Sequence, residues 1–231
     1  VRHAVRLLWK SRGISTATLL TLTFCIGATT AIFSMVYSLL LKPLPFPEPE
    51  RVVELYSSAK KAGLDHMPAN VPMYLDYSKN ATSYETIALW TLFQGMLGDD
   101  GTAERVTGAR ATSEIFGLLR VQPVVGSFFT AEQNKQGADK VAVLTESFWR
   151  SRFGERPEVI GQSLRIDGED YRIIGVAPRA LEALDARAKF IAPLSWPAGA
   201  ENPQGRYGVN LQKYGRFKHG VTARQADAEA K

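Results

Sequence analysis

Hydrophobic positions fall along this chain in two regimes. From residue 13 to residue 41, 29 positions pass without a charged side chain, and large apolar residues (Leu19, Leu20, Leu22, Phe24, Ile26, Ile32, Phe33, Met35, Val36, Leu39, Leu40 and Leu41) leave no polar face. About 20 apolar residues cross a bilayer as a helix, and in lipid a helix satisfies its own backbone hydrogen bonds. The pattern therefore predicts one transmembrane helix over 13–41. At about 1.5 Å per residue it exceeds a hydrocarbon core of about 30 Å, so it tilts or protrudes. A buried helix of a soluble protein is usually shorter and keeps a polar face. A cleaved signal peptide has an apolar core of about 7–15 residues and a small-x-small cleavage site. No clear Ala-x-Ala follows this run.

Beyond residue 50 short apolar stretches alternate with polar turns, which predicts an α+β domain of mixed strands and helices, in two small lobes. Strands are expected at 51–57, 86–97, 103–111, 141–144 and 209–217. Helices are expected from 71 to 78, from 113 to 119 with Ser113 as cap, from 146 to 153 closed by Gly154, and from 222 with Thr222 as cap. The clearest local signal is the hairpin 163–176, where Asp167-Gly168 between alternating apolar positions specifies a type I′ turn. The aromatics Trp90, Phe93, Phe128, Phe129, Trp149 and Phe153 read as core.

The segments flanking the apolar run differ. Residues 2–12 carry Arg2, Arg6, Lys10 and Arg12 with no acid, and Val5, Leu8 and Trp9 at helical spacing. That is either a short amphipathic helix in the headgroup layer or an unstructured flank that sets topology. Basic residues favour the cytoplasmic side, which puts residue 1 inside and residue 42 onward outside. On the far side, Pro43, Pro45, Pro47 and Pro49 occupy every second position of 43–49. Each lacks an amide hydrogen and disfavours helix in the residue before it, so the helix ends near Leu41 and the chain runs on extended and stiff. Such a strut either transmits displacement or merely spaces the domain from the lipid. The division expected is 1–12 cytoplasmic segment, 13–41 membrane helix, 42–50 strut and 51–231 extracytoplasmic domain, expected to be incomplete at its C-terminus.

Charge sharpens this division. Four of the 28 basic residues lie in the first twelve, leaving 24 basic against 23 acidic side chains from Lys42 onward. A nearly neutral domain gives no electrostatic case for nucleic acid. The single cysteine, Cys25, lies inside the apolar run, so the domain has neither a disulfide nor a thiol nucleophile.

The search for chemistry is mostly negative. The chain has no G-x-x-x-x-G-K-[ST] nucleotide loop and no G-x-S-x-G elbow. His3, His66 and His219 are far apart and lack metal-ligand spacing. The acidic groups Asp99-Asp100, Glu132 and Asp167-Gly168-Glu169-Asp170 lack the alternate-oxygen pattern of a calcium loop. No catalytic, cofactor-binding or metal-binding residue is assigned.

Four ordered stretches nevertheless carry a resemblance. Gly27-Ala28-Thr29-Thr30-Ala31-Ile32-Phe33-Ser34 leads to Leu40-Leu41-Lys42-Pro43-Leu44-Pro45-Phe46-Pro47. Gly108-Ala109-Arg110 and Phe116 precede the run 119–129. Val143-Leu144-Thr145, Phe148-Trp149-Arg150 and Phe153-Gly154 lead through Val159-Ile160-Gly161 to Ile174-Gly175-Val176-Ala177-Pro178, and Lys218-His219-Gly220-Val221-Thr222 follows. Together these resemble the N-terminal part of bacterial ABC-transporter permeases of the MacB/FtsX kind, with a MacB-like periplasmic core domain. Thr29 and His219 stand where that family often has Asn and Pro.

The resemblance implies a permease component in the bacterial inner membrane, its N-terminus cytoplasmic and its main domain periplasmic. It also implies a separate ATP-binding ABC subunit, a homodimeric or internal-repeat permease partner, contact with membrane lipid, an extracytoplasmic client and no cofactor. Members continue into the rest of the external domain and then into further membrane helices, so the chain is expected to be a fragment or a truncated reading frame of a longer permease. In that reading residues 27–41 are the moving helix, and Pro43, Pro45, Pro47 and Pro49 the relay for mechanotransmission. Two other functions compete: a single-pass extracytoplasmic binding or sensor module, and an anchored envelope enzyme, for which no polar constellation is found.

Overall fold

The computed structural model describes residues 12–37, 44–59, 64–98, 103–197, 199 and 211–229. The chain divides into two compact units, Val1–Pro43 and Leu44–Lys231. The basic segment 2–11 with His3, and residues 38–43 where the membrane helix is expected to end, lie outside the described residues.

In the first unit a single helix, α1 (Arg12–Val36), occupies most of the apolar run. Gly13–Val36 is long and apolar enough to cross a membrane, and none of it is buried by other parts of the chain. Its 24 residues span about 36 Å. The hydroxyls of Thr18, Thr21, Thr23 and Thr29 donate to the carbonyls of Ile14, Ala17, Leu19 and Cys25 one turn back, at 2.8–2.9 Å. Satisfying side-chain donors inside the helix is what a hydrocarbon environment demands.

The second unit is built on one mixed sheet. Its strands are β1 (Val52–Glu54), β4 (Tyr84–Leu97), β5 (Glu104–Ala111), β6 (Val125–Gly126), β7 (Val141–Thr145), β8 (Ser163–Ile166), β9 (Glu169–Ala177), β10 (Phe190–Pro193) and β11 (Gln212–Phe217). They are ordered β1-β11-β4-β5-β10-β7-β9-β6, with β8 pairing both β4 and β9. The β5/β10 and β7/β9 pairs are parallel; the other pairs are antiparallel. A small hairpin, β2 (Ser57–Ala59) with β3 (Leu64–Met67), stands apart from it. The two lobes expected from length thus share one continuous sheet.

Helices cover both faces. The central strands therefore read as apolar runs rather than as half-polar alternations. On one face α3 (Glu114–Leu119) lays Ile115, Phe116, Leu118 and Leu119 over Ala88, Trp90, Ala109, Ala111, Val143 and Ile191. On the other, α2 (Val71–Asn80) and α5 (Ala223–Glu229) cover Ile87, Leu89, Leu211 and Phe217 with Val71, Tyr74 and Ala226. Further along that face α4 (Glu146–Phe153) sets Phe148 and Trp149 against Ala142, Leu144, Ile173 and Phe190. Neighbours on a strand, such as Val143 and Leu144, belong to different clusters, as the period of two requires.

Local signals behave as the chemistry predicts, with two exceptions. Asp167 (φ 52) and Gly168 (φ 79) form the hairpin turn, and Gly154 (φ 60) ends α4. Asn70 caps α2 by accepting from the Met73 amide at 2.9 Å. Thr222 and Gln225 cap α5 reciprocally, at 2.8–3.4 Å. Ser113, expected to cap α3, has helical φ and ψ and no capping bond; its amide donates instead to Asn134 Oδ1 at 2.8 Å. The strand expected over 51–57 begins only at Val52, because Arg51 closes a 3₁₀ turn, Pro49–Arg51, and it breaks after Glu54, with Ser57 already in the separate β2–β3 hairpin.

Candidate functional site

The stretch expected to run extended and stiff as a proline strut packs into the domain from Leu44 onward. Phe46 is 7% exposed and packs in the α3 cluster. The carbonyl of Pro47 accepts from Arg216 Nη2 at 2.9 Å. Pro49 opens the 3₁₀ turn, where a missing amide hydrogen is harmless. Pro45 falls in the bend between, and Pro43 lies outside the described residues.

Glu48 is the hub of this neck. Its Oε2 accepts from Arg51 at 2.7 Å, from Arg216 at 3.4 Å and from Arg120. Glu85, near the start of β4, takes Arg51 at 2.9 Å and Arg120 at 3.2 Å. Arg51 also donates to the Phe217 carbonyl, 3.0 Å from Nε, and its Nη1 lies 3.0 Å from His219 Nε2. Arg216 is wholly buried, with Nε 2.6 Å from the Leu118 carbonyl at the end of α3. One side chain therefore ties the neck, a helix terminus and strand β11 together.

Three guanidiniums against two carboxylates leave this cluster one charge positive. Desolvation, and then the charges of Arg120 and Arg51, push the Arg216 guanidinium down from its usual value. Desolvation pushes the Glu85 carboxyl up, but hydrogen bonds and charge from Arg120 and Arg51 reverse that and leave it below its usual range. Backbone geometry contributes as well. Glu48 (φ 50) and Arg120 (φ 53) are left-handed, a conformation that costs a non-glycine residue roughly 1 kcal/mol. Both side chains enter the cluster from those positions, so the ion pairs hold the backbone where glycine would otherwise be expected.

Glu85 and Tyr84 also line a cleft of about 920 Å³ between α2, the head of β4, the start of α3 and Trp196. Tyr74 packs edge-on against Trp196 there, centroids 6.3 Å apart. Burial and the nearby Glu114 carboxylate push the Tyr74 hydroxyl up to about 12, so it remains a hydrogen-bond donor at neutral pH.

The remaining sequence candidates do not converge. His66 lies on β3, while His219 turns after β11 and joins the neck. Glu132 pairs with Lys135 at 2.7 Å, and Asp167 accepts from the Met96 amide at 2.8 Å. Asp99 and Asp100 lie outside the described residues. Among the described residues no group of three or more His, Cys, Asp or Glu is placed to hold a metal. The aromatics are packing groups: Phe128 stacks on Phe116 at 3.9 Å, Phe93 meets Phe190 at 5.7 Å and Phe153 meets Phe148 at 5.8 Å. The neck's arginine partners were not among the sequence candidates. The available signal was β11 itself, where Lys213 and Arg216 put a basic residue on each face of an otherwise core-like strand.

Comparisons with known proteins fit this architecture. The sequence profile described as MacB-like periplasmic core domain matches residues 15–231. The periplasmic region of MacB from Actinobacillus actinomycetemcomitans has a similar fold, with a TM-score of 0.55 at 13% identity, covering 78% of this chain and 79% of that one. The extracellular domain of the noncanonic ABC-type transporter YknZ from Gram-positive bacteria gives 0.53 at 12% identity, over 77% and 88%. A domain of a putative permease from Porphyromonas gingivalis gives 0.60 at 19% identity, over 79% and 82%. No curated protein sequence matches the chain. With the profile spanning nearly its whole length and the fold shared by these domains, the chain belongs to the MacB-like periplasmic core domain family of ABC-transporter permeases.

Proposed function

We propose that this chain supplies a membrane helix and the extracytoplasmic core of a bacterial inner-membrane ABC permease, and that its neck passes helix displacement to the domain. In this reading residue 1 is cytoplasmic, residues 44–231 are periplasmic, and a separate ATP-binding subunit drives the motion. The observation that carries the proposal is the arginine cluster on Glu48, with buried Arg216 gripping the Pro47 carbonyl. Chain entering the domain through such a cluster pulls on the end of α3 and on β11, not on a loop. Coupling then depends on differential contacts rather than on mere proximity.

The test uses the full-length permease with its ATP-binding subunit. Glycine and serine in place of Pro43, Pro45, Pro47 and Pro49, and separately Glu48→Gln with Arg216→Met, are expected to leave ATP turnover in place while the export or envelope phenotype falls. Unchanged coupling in both variants overturns the proposal. The cleft beside Glu85 favours a second reading, a binding module in which Tyr74, Trp196 and Glu114 recognise a client. A ligand that binds the chain with the same affinity whether or not the ATP-binding subunit is present, and with no phenotype tied to ATP, would support that alternative.

A further inference from the structure

The segment 82–85, at the head of β4, is held both by the neck and by α5. From the incoming side, Arg51 of the neck reaches Glu85 at 2.9 Å and the Phe217 carbonyl at 3.0 Å. From α5, Glu229 turns its carboxylate back onto the same segment. Its Oε1 accepts from the Thr82 hydroxyl at 2.6 Å and from the Thr82 amide, and its Oε2 accepts from the Ser83 amide at 2.9 Å. Between these two grips the Ser83 carbonyl accepts from the Lys218 amide at 3.0 Å, and the Tyr84 ring stacks on Phe217 at 5.3 Å. Two consecutive amides and a hydroxyl presented to one carboxylate form a small anion-binding nest, here filled by the chain's own Glu229.

We propose that residues 82–85 are a clasp that fastens the neck to α5, so that the neck and this helix are displaced together. The physical path is short. Loosening Glu229 lets the head of β4 shift against residues 217–218, and that shift lengthens the Arg51 bonds to Glu85 and Phe217. Because coupling is reciprocal, releasing Arg51 loosens α5 to the same degree. The functional consequence rests on the permease reading above, but the clasp and its test do not involve ATP.

The experiment is hydrogen exchange on the full chain in lipid nanodiscs, comparing wild type with Glu229→Gln, Thr82→Val and Arg51→Gln. Tryptophan fluorescence is used to verify that each variant keeps its fold. Glu229→Gln keeps the shape of the side chain and removes its charge. It is expected to raise exchange about tenfold in α5, the loss of one charge-assisted hydrogen bond, and also severalfold in residues 46–54, which Glu229 does not touch. Thr82→Val is expected to do the same more weakly, and Arg51→Gln to speed exchange in 223–229. Faster exchange confined to the mutated side overturns the clasp, as does no change on either side. Separately, intact ATP coupling in a variant whose clasp has opened would refute a part for the clasp in transmission while leaving the clasp itself standing.

Discussion

Replacing Arg216 by methionine removes the side chain on which the neck depends. Methionine is of similar length and keeps the apolar packing of the stem, so the loss falls on the guanidinium contacts. Three of them matter: the Leu118 carbonyl at 2.6 Å, the Pro47 carbonyl at 2.9 Å and Glu48 at 3.4 Å. Each carbonyl left without its charged donor costs about 1–1.5 kcal/mol. Glu48 keeps Arg51 and Arg120, so its share is smaller than the about 3–5 kcal/mol of a fully orphaned buried charge. The expected loss is about 2–4 kcal/mol, a large part of a domain stability of about 5–15 kcal/mol. Arg152→Ala is the control, since its bridge to Glu104 at 3.0 Å is half exposed and such pairs contribute at most about 1 kcal/mol. Urea unfolding followed by tryptophan fluorescence reads both variants. If Arg216→Met costs no more than Arg152→Ala, the neck is not held as described.

Other substitutions probe the rest of the fold. Lys213 is 2% exposed, its ammonium lies 3.8 Å over the Tyr77 ring, and burial lowers it to about 8. A cation depressed in the folded state destabilises the fold below that value. Stability should therefore rise between about pH 8 and pH 10, by on the order of 2 kcal/mol, and Lys213→Met should abolish the rise; a flat wild-type profile rejects this. Gly175→Ala would place a Cβ 2.1 Å from the Ser127 carbonyl oxygen, backbone against backbone. It should lower stability by about 1–3 kcal/mol, and an unchanged melting temperature would show that β6 yields. Glu182 caps α4 from outside by accepting from the Ser147 amide at 2.9 Å and hydroxyl at 2.7 Å. Glu182→Ala should cost about 1–2 kcal/mol in the same urea assay, and a loss below a few tenths would assign that role elsewhere.

What could be read in the sequence follows the range of the interactions that decide it. The hairpin through Asp167-Gly168 and α4 ending at Gly154 are set by neighbours in sequence, and the structure keeps both as expected. Ser113 does not cap because its own backbone is already helical, and its first-turn amide is satisfied by Asn134, 21 residues on. The docking of the neck is not legible in the sequence either, because its partners lie at longer range. Four alternating prolines do specify an extended, helix-free path. That path docks because the partners of Glu48 are Arg120 and Arg216, 72 and 168 residues away. Arg216 appears in sequence only as a charge in a strand-like run, and its burial becomes meaningful once β11 lies between β1 and β4.

The central claim is that the chain entering the domain at Leu44, after the apolar helix α1, is part of the domain's folded body. It is tested most directly by a spin-label distance within the full chain in nanodiscs, from Leu44, 47% exposed, to the exposed Arg187, with Cys25 replaced by serine. A single narrow distance distribution is expected, broadening when Glu48→Gln and Arg216→Met are introduced together. A distribution already broad in the unmodified neck, and unaltered by those substitutions, would contradict the claim.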